Sequence, residues 1–302
     1  MKFNRIGILL GGLSREREVS LAGGKAVSRA LQNCGYQVVE IDVTHQLDKQ
    51  LRAADIDAAF IVLHGRHGED GTVQGMLEMM QIPYTGSNVL ASALAIDKAK
   101  TRRVLSDAGI RVAPGVLLTK KNQTNLPSHI QLPVVVKPAE EGSSVGVSIA
   151  KTAADYAKAL EEAFACSKNV LVEQFIAGKE VQVAVLGERV LGAVEIEPHR
   201  EFYDYSAKYE PGGSTHHIPP RIADSSLQTL LSAGKEVFDA VGCAGAARVD
   251  FILTDTGDVY CLEINTIPGM TETSLLPEIA AHAGLNFEQL VTEIIESAAL
   301  HV

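Results

Sequence analysis

The stretch RVDFILTDTGDVYCLEIN, residues 248–265, limits what this 302-residue chain can fold into more than any other segment. Apolar and polar residues alternate on both sides of a turn containing Asp255, Thr256, Gly257 and Asp258, a pattern that builds a β-hairpin. Side chains two apart on a strand share a face, so Arg248 points with Asp250, and Glu263 with Asn265. If the turn takes four residues, Asp250 lies opposite Glu263 and Arg248 opposite Asn265. Two carboxylates and an amide oxygen gathered in this way repel each other unless a cation sits between them. An oxygen-only donor set suits Mg²⁺ or Mn²⁺ rather than zinc. For an arbitrary hairpin a solvated face with an Arg–Asp pair is the better reading; the Pro-Gly turn of Thr266 to Met270, directly after the candidate ligands, lowers it here.

The first third of the chain has a different rhythm. Short apolar runs at Ile6 to Leu10, Gln37 to Ile41 and Ala58 to Leu63, with helical patterns between them, read as buried parallel strands of a wound α/β unit. Polar turns follow the first and third runs, GGLSRERE and HGRHGEDG, and open α/β sheets bind ligands at such carboxyl ends. A helical pattern near Ala93 to Asp107 carries Lys98 and Lys100. A Pro-containing segment then leads to the strand VVVK, Val134 to Lys137, which starts a second unit. That unit continues with the loop EGSSVG, a helix over about Ala153 to Phe164, the strand VLVEQF and the polar turn AGKE. Beyond it the pattern turns antiparallel, with strands at Gln182 to Leu186, Val190 to Ile196, Arg248 to Leu253 and Val259 to Asn265. Phe202 to Pro220 is too polar and glycine-rich for a strand and reads as a functional loop or lid. A helix from about Phe287 to Ala299 closes the chain. The fold class expected is α/β, with α+β character in the C-terminal part.

Charge narrows the partners. Lys and Arg number 27 against 37 Asp and Glu, a formal net charge of −10, so the average field repels nucleic acid and anionic membranes. Any phosphate must be held by locally focused positive groups. Lys137 is one candidate: it ends an apolar strand, and Ser143 and Ser144 follow in a loop flanked by Gly142 and Gly146, where backbone N–H groups can approach phosphate oxygens. A Gly-Ser hairpin turn would look similar, and the chain has neither a GxxxxGK[ST] nor a GxGxxG motif. The apolar run Ile6 to Leu10 is too short for a signal-peptide core and no later run approaches a membrane span, so a cytoplasmic location is expected. Cys34, Cys166, Cys243 and Cys261 are scattered without CxxC spacing and read as reduced core thiols.

Taken together, LLGGLSREREVSL, LHGRHGEDG, GMLEMMQIPYTGS, ASALAIDK, VVVKPAEEGSSVGVS, FYDYSAKY, ARVDF and LEINTIPGMTETSLLP resemble the D-alanine–D-alanine ligase family of the ATP-grasp enzymes over nearly the whole chain. The resemblance implies an ATP-grasp fold with an N-terminal parallel-sheet wound domain at 1–96, a central domain at 97–180 and a C-terminal domain with metal and catalytic residues at 181–302. It implies ATP-dependent joining of two D-alanine molecules through an acyl phosphate, releasing ADP and phosphate, for peptidoglycan precursor synthesis. D-alanine would be the small-molecule partner, with no nucleic acid or membrane partner, and a homodimer is allowed.

By the same resemblance Lys98, Lys137 and Lys208 contact the phosphates, the EGSSVG loop with Ser144 covers them, Glu173 takes the adenine amino group and Glu180 the ribose hydroxyls. Asp250, Glu263 and Asn265 become ligands of two Mg²⁺ (or Mn²⁺) ions. Arg248 and the Gly269 N–H stabilise the oxyanion. Glu16 pairs with the ammonium of the first D-alanine, near His64, and joins Ser143 and Tyr209 in a hydrogen-bonded triad. Ser274 and the Leu275 backbone hold the carboxylate of the second D-alanine. Bland alternatives stand beside several of these: Glu173 and Glu180 as surface residues, His64 as a solvated turn residue, Arg248 as a structural salt-bridge partner. His67, His216 and His217 carry no assignment. Leu13, where a small polar residue is common, and the shortened PGGSTHHIPP after Tyr209 depart from the family pattern. Tyr209 disfavours the ester-forming relatives that make D-alanyl-D-lactate. The missing GxGxxG disfavours a dinucleotide-binding regulatory module.

Overall fold

The computed structural model describes residues 1–119, 125–140, 146–199, 213–271 and 273–301. Its first unit is a parallel sheet of β1 (Arg5–Leu10), β2 (Gln37–Asp42) and β3 (Ala58–Ile61) in the order β2-β1-β3. Central β1 is buried along Ile6 to Leu10 and so reads as a continuous apolar run, while edge strand β2 mixes exposed and buried positions. Helices α1 (Arg17–Asn33), α2 (Leu47–Ala54) and α3 (Thr72–Met80) connect and flank it. Because β2 and β3 lie on opposite sides of β1, the turns after β1 and β3 part at the carboxyl edge and leave a crevice between them.

The helical pattern read over Ala93 to Asp107 is two helices, α4 (Val89–Ile96) and α5 (Lys98–Asp107). Asp97 is the reason. It ends α4 with a non-helical backbone, and its carboxylate accepts a 3.0 Å hydrogen bond from the Lys100 N–H, capping α5. A second, antiparallel sheet follows, built from β4 (Gly115–Thr119), β5 (Val134–Pro138), β6 (Ser148–Ala150) and β7 (Asn169–Gln174) in the order β4-β7-β5-β6. Helix α6 (Ala153–Cys166) covers it, started by a capping box between Thr152 and Asp155. Strand β4 went unread in the sequence because its Pro-containing approach hid a short, half-buried edge strand.

The third sheet is antiparallel and five-stranded: β8 (Lys179–Leu186), β9 (Arg189–Pro198), β10 (Ser214–His217), β11 (Ala246–Leu253) and β12 (Val259–Asn265), ordered β10-β9-β8-β11-β12. One face packs Val181, Val183, Val249 and Phe251 against Leu230, Val237 and Phe238 of α7 (Asp224–Val241). Each such side chain contributes roughly 1.5–3 kcal/mol on burial. The alternation leaves Glu180, Gln182, Arg248, Asp250, Glu263 and Asn265 for the opposite face. Arg248 does pair with Asn265 and Asp250 with Glu263, although the connection 254–258 is one residue longer than the four supposed. A bulge at Leu262 takes up the extra residue, since Asp250 pairs with Glu263 but Phe251 with Cys261.

The segment Phe202 to Pro220 does contain a strand, contrary to the sequence reading. Ser214–His217 forms edge strand β10 on β9, where its polar side chains find partners: His217 lies 2.8 Å from Glu197 and Thr215 2.7 Å from His199. An edge strand needs no apolar face. The chain ends with α8 (Leu275–His282) and α9 (Phe287–Glu296), which return to the first unit. Leu276, Ile279, Leu290 and Ile294 share one core with Ile6, Ile8 and Val27, and Tyr84 and Ala299 exchange two backbone hydrogen bonds of 3.2 Å. All four cysteines are free; Cys261 is buried and the others partly so. Among the described residues no helix is long and apolar enough to cross a membrane.

Candidate active site

A cleft of about 1050 Å³, counted to its open mouth, lies between the carboxyl edge of the parallel sheet, the start of α5 and the five-stranded sheet. Glu16, from the turn after β1, and His64 and Glu69, from the turn after β3, form one wall. Lys98, Gln182, Arg248, Glu263 and Asn265 form the floor, and Gly269, Ser274 and Leu275 the far end.

The first wall depends on a glycine. Gly65 has φ +66°, a left-handed conformation that favours glycine, and a Cβ there would come 3.0 Å from Glu16 Oε2, so the two turns approach closely at this point. His64 is buried, with Nδ1 4.0 Å from Glu69 and, among the described residues, no hydrogen-bond partner for Nε2. Burial alone would push its pKa down; Glu69 and the charge of Glu16 outweigh this, against Arg248, and raise it. The solvated-turn alternative for His64 therefore fails.

On the floor, the Arg248 guanidinium grips Asp250 through two hydrogen bonds of 2.8 and 2.9 Å. Lys98, nearly buried at the start of α5, lies 3.2 Å from Glu263, and its backbone N–H donates to the Ala139 carbonyl over 2.9 Å. These cations hold apart two carboxylates that the strand pairing sets face to face. Asn265 Oδ1 accepts from the Ile267 N–H at 3.0 Å and so fixes the turn that leads to the far end. The donor atoms on this face are all oxygens. Among the described residues no group of three His, Cys, Asp or Glu side chains is placed to hold a metal; Asp250 and Glu263 with the amide oxygen of Asn265 form an oxygen donor set that water or phosphate oxygens would complete around a cation. That set fits a hard divalent ion and not zinc. Cys261 packs into the core with Val249 and Phe251, where burial, then the charges of Asp250 and Glu263, push its thiol well above its ordinary range.

At the far end Gly269 runs so close to Ser274 that a Cβ on it would sit 2.7 Å from the hydroxyl. Ser274 precedes α8 but does not cap it; its Oγ accepts from the Thr271 N–H at 3.0 Å. Ser274 thus leaves the first N–H groups of α8 without a cap from its own side chain, and it lines the cleft with Leu275.

Lys137 and Glu173 lie on the second sheet, not among the residues lining this cleft. Both are buried, 2.5 Å apart, and Arg102 also binds Glu173. Glu180 accepts from Gln182 Nε2 at 2.9 Å. Ser143, Ser144, Lys208 and Tyr209 lie outside the described residues. The sequence reading missed Glu69, Arg102, Gln182 and His216. Gln182 had a usable signal, since it shares a strand face with Glu180. Arg102 and His216 had none, because helix and loop spacing do not reveal which sheet they will meet.

A wound parallel sheet joined to two antiparallel sheets, with Lys98 and a carboxylate–amide face turned into the cleft, defines an ATP-grasp enzyme. The family model for the D-ala D-ala ligase C-terminus matches residues 104–296, and that for the N-terminus residues 44–87. The D-alanine–D-alanine ligase of Geotalea uraniireducens is 50% identical over 100% of this chain and 98% of its own length, and that of Syntrophotalea carbinolica 51% identical over 98% and 96%. The chain belongs to the D-alanine–D-alanine ligase family. Among solved structures, the Bacillus anthracis D-alanine–D-alanine ligase complexed with ATP matches with a TM-score of 0.87 at 33% identity, covering 97% of each chain. The VanG D-Ala:D-Ser ligase of Enterococcus faecalis matches with 0.86 at 31%, covering 99% of this chain and 100% of its own.

Proposed function

We propose that the chain joins two D-alanine molecules into D-alanyl-D-alanine, consuming ATP and releasing ADP and phosphate. The observation that carries this is the convergence, in one cleft, of Glu16 and His64 from the parallel sheet with Arg248, Glu263, Asn265, Gly269 and Ser274 from the other end of the chain. In the reaction the carboxylate of the first D-alanine attacks the γ-phosphate of ATP, giving an acyl phosphate. The amine of the second D-alanine then attacks the activated carbonyl, and phosphate leaves.

Phosphoryl transfer depends on positioning and charge neutralisation. Lys98 and Lys137 supply positive charge to the phosphates, and Glu173 and Glu180 hold the adenine amino group and the ribose hydroxyls. Asp250, Glu263 and Asn265 would hold two Mg²⁺ or Mn²⁺ ions, which neutralise phosphate charge when bound. Release of Asp250 and Glu263 from Arg248 and Lys98 frees those cations to face the substrates. Glu16 holds the ammonium of the first D-alanine beside His64. Arg248 and the Gly269 N–H, which line the same cleft, stabilise the oxyanion of the tetrahedral intermediate. The uncapped start of α8, with Ser274 and Leu275, receives the carboxylate of the second D-alanine. Ser143, Ser144, Lys208 and Tyr209 complete the cover by family resemblance. The reading extends to the domain division at 96 and 180 and to a cytoplasmic location. It allows a homodimer, with which the exposed Met79, Val89 and Leu90 on neighbouring α3 and α4 are compatible. Mass analysis of the product made from ATP and D-alanine tests it: the dipeptide is expected, and its absence with a folded protein would overturn the reading.

A further inference from the structure

His216, on edge strand β10, lines the cleft. Its Nδ1 lies 2.7 Å from Glu278 Oε2 and its Nε2 3.2 Å from Ser214 Oγ, so both ring nitrogens are engaged. Glu278 stands one turn into α8: its backbone N–H bonds the Ser274 carbonyl at 3.2 Å. Residues four apart on a helix are neighbours on one face, so the Glu278 carboxylate lies a side chain's length from Ser274. Near a helix N-terminus an acidic side chain competes for the same positive end of the dipole that would attract a bound anion. The approaching anion here would be the carboxylate of the second amino acid.

We infer that His216 is a positioning residue for the second amino acid: by donating Nδ1–H to Glu278 it holds that carboxylate away from the α8 N-terminus and keeps the anion subsite open. This rests on the ligase reading above. Among the described residues the hydrogen-bond partners of His216 are Glu278 and Ser214, neither of them a group proposed for the nucleotide or the first amino acid, so its loss should act on one substrate only. Without the imidazole, Glu278 is free to swing toward Ser274 and repel the incoming carboxylate.

The test uses His216→Phe, Glu278→Gln and the double variant. His216→Phe should raise the D-alanine concentration needed for half-maximal dipeptide formation about fivefold, the effect of one misplaced charge at a helix end, with the KM for ATP unchanged. Hydroxylamine can replace the second D-alanine as nucleophile and carries no carboxylate, so D-alanyl hydroxamate formation should be unaffected. Adding Glu278→Gln to His216→Phe should restore the wild-type D-alanine dependence, a rescue that a merely structural histidine would not show. If the double variant stays as impaired as His216→Phe, or if hydroxamate formation falls equally, the inference is overturned. A wild-type protein that makes neither dipeptide nor hydroxamate would instead overturn the ligase reading itself.

Discussion

Single residues on the floor of the cleft carry the account. Glu263 faces Asp250 across the hairpin and Lys98 at 3.2 Å. Glu263→Gln keeps the shape and removes the charge, so turnover should fall by about 100-fold while the melting curve stays near wild type; steady-state kinetics and circular dichroism check this. The hairpin was legible in the sequence because period-2 alternation fixes which side chains share a face, whatever the turn length. The bulge at Leu262 was not, since nothing in the composition marks it. A second residue, Glu195, was missed altogether, for a buried carboxylate in a strand looks like any other alternating position. Burial opposes its charge, but hydrogen bonds from Arg221 and Lys179 outweigh burial and lower its pKa to about 2. A depressed carboxylate stabilises the fold above its unfolded value of about 4.5 and loses that contribution as pH falls through about 2. Glu195→Ala should cost about 1–3 kcal/mol near neutrality, and the gap to wild type should close between those two pH values; denaturant titrations across pH measure it.

Elements set the site where their ends do more than terminate. Asp97 closes α4 and opens α5, which fixes the adjacent Lys98 against the cleft. Removing the cap by Asp97→Ala should cost about 1 kcal/mol of stability and raise the KM for ATP several-fold, readable by urea melts and initial rates on one preparation. The sequence merged these helices because their apolar spacing runs on through position 97, and an aspartate inside a helical pattern is silent until its carboxylate is seen to accept the Lys100 N–H. The opposite case is β10, whose polarity predicts a loop although an edge strand satisfies its side chains with Glu197 and His199. Strands buried on both faces, such as β1 and β5, were the easiest to read.

At the scale of the molecule, the two ends of the chain build one core: α8 and α9 pack on β1 and α1, so the turn bearing Gly269 and Ser274 is anchored to the same body as Glu16 and His64. The sequence carried no trace of that closure, which is a long-range contact between apolar faces that are each unremarkable alone. Its consequence is functional, because the groups proposed for the first amino acid and those proposed for the second are held on a shared frame, while those proposed for the adenine and phosphates include Lys137 and Glu173 of the second sheet. Phosphate release from ATP tests this most directly. It should require D-alanine and a divalent cation together, and should fail with L-alanine, with D-lactate alone, or in excess chelator. Equal release with L-alanine, or undiminished release in chelator, would contradict it.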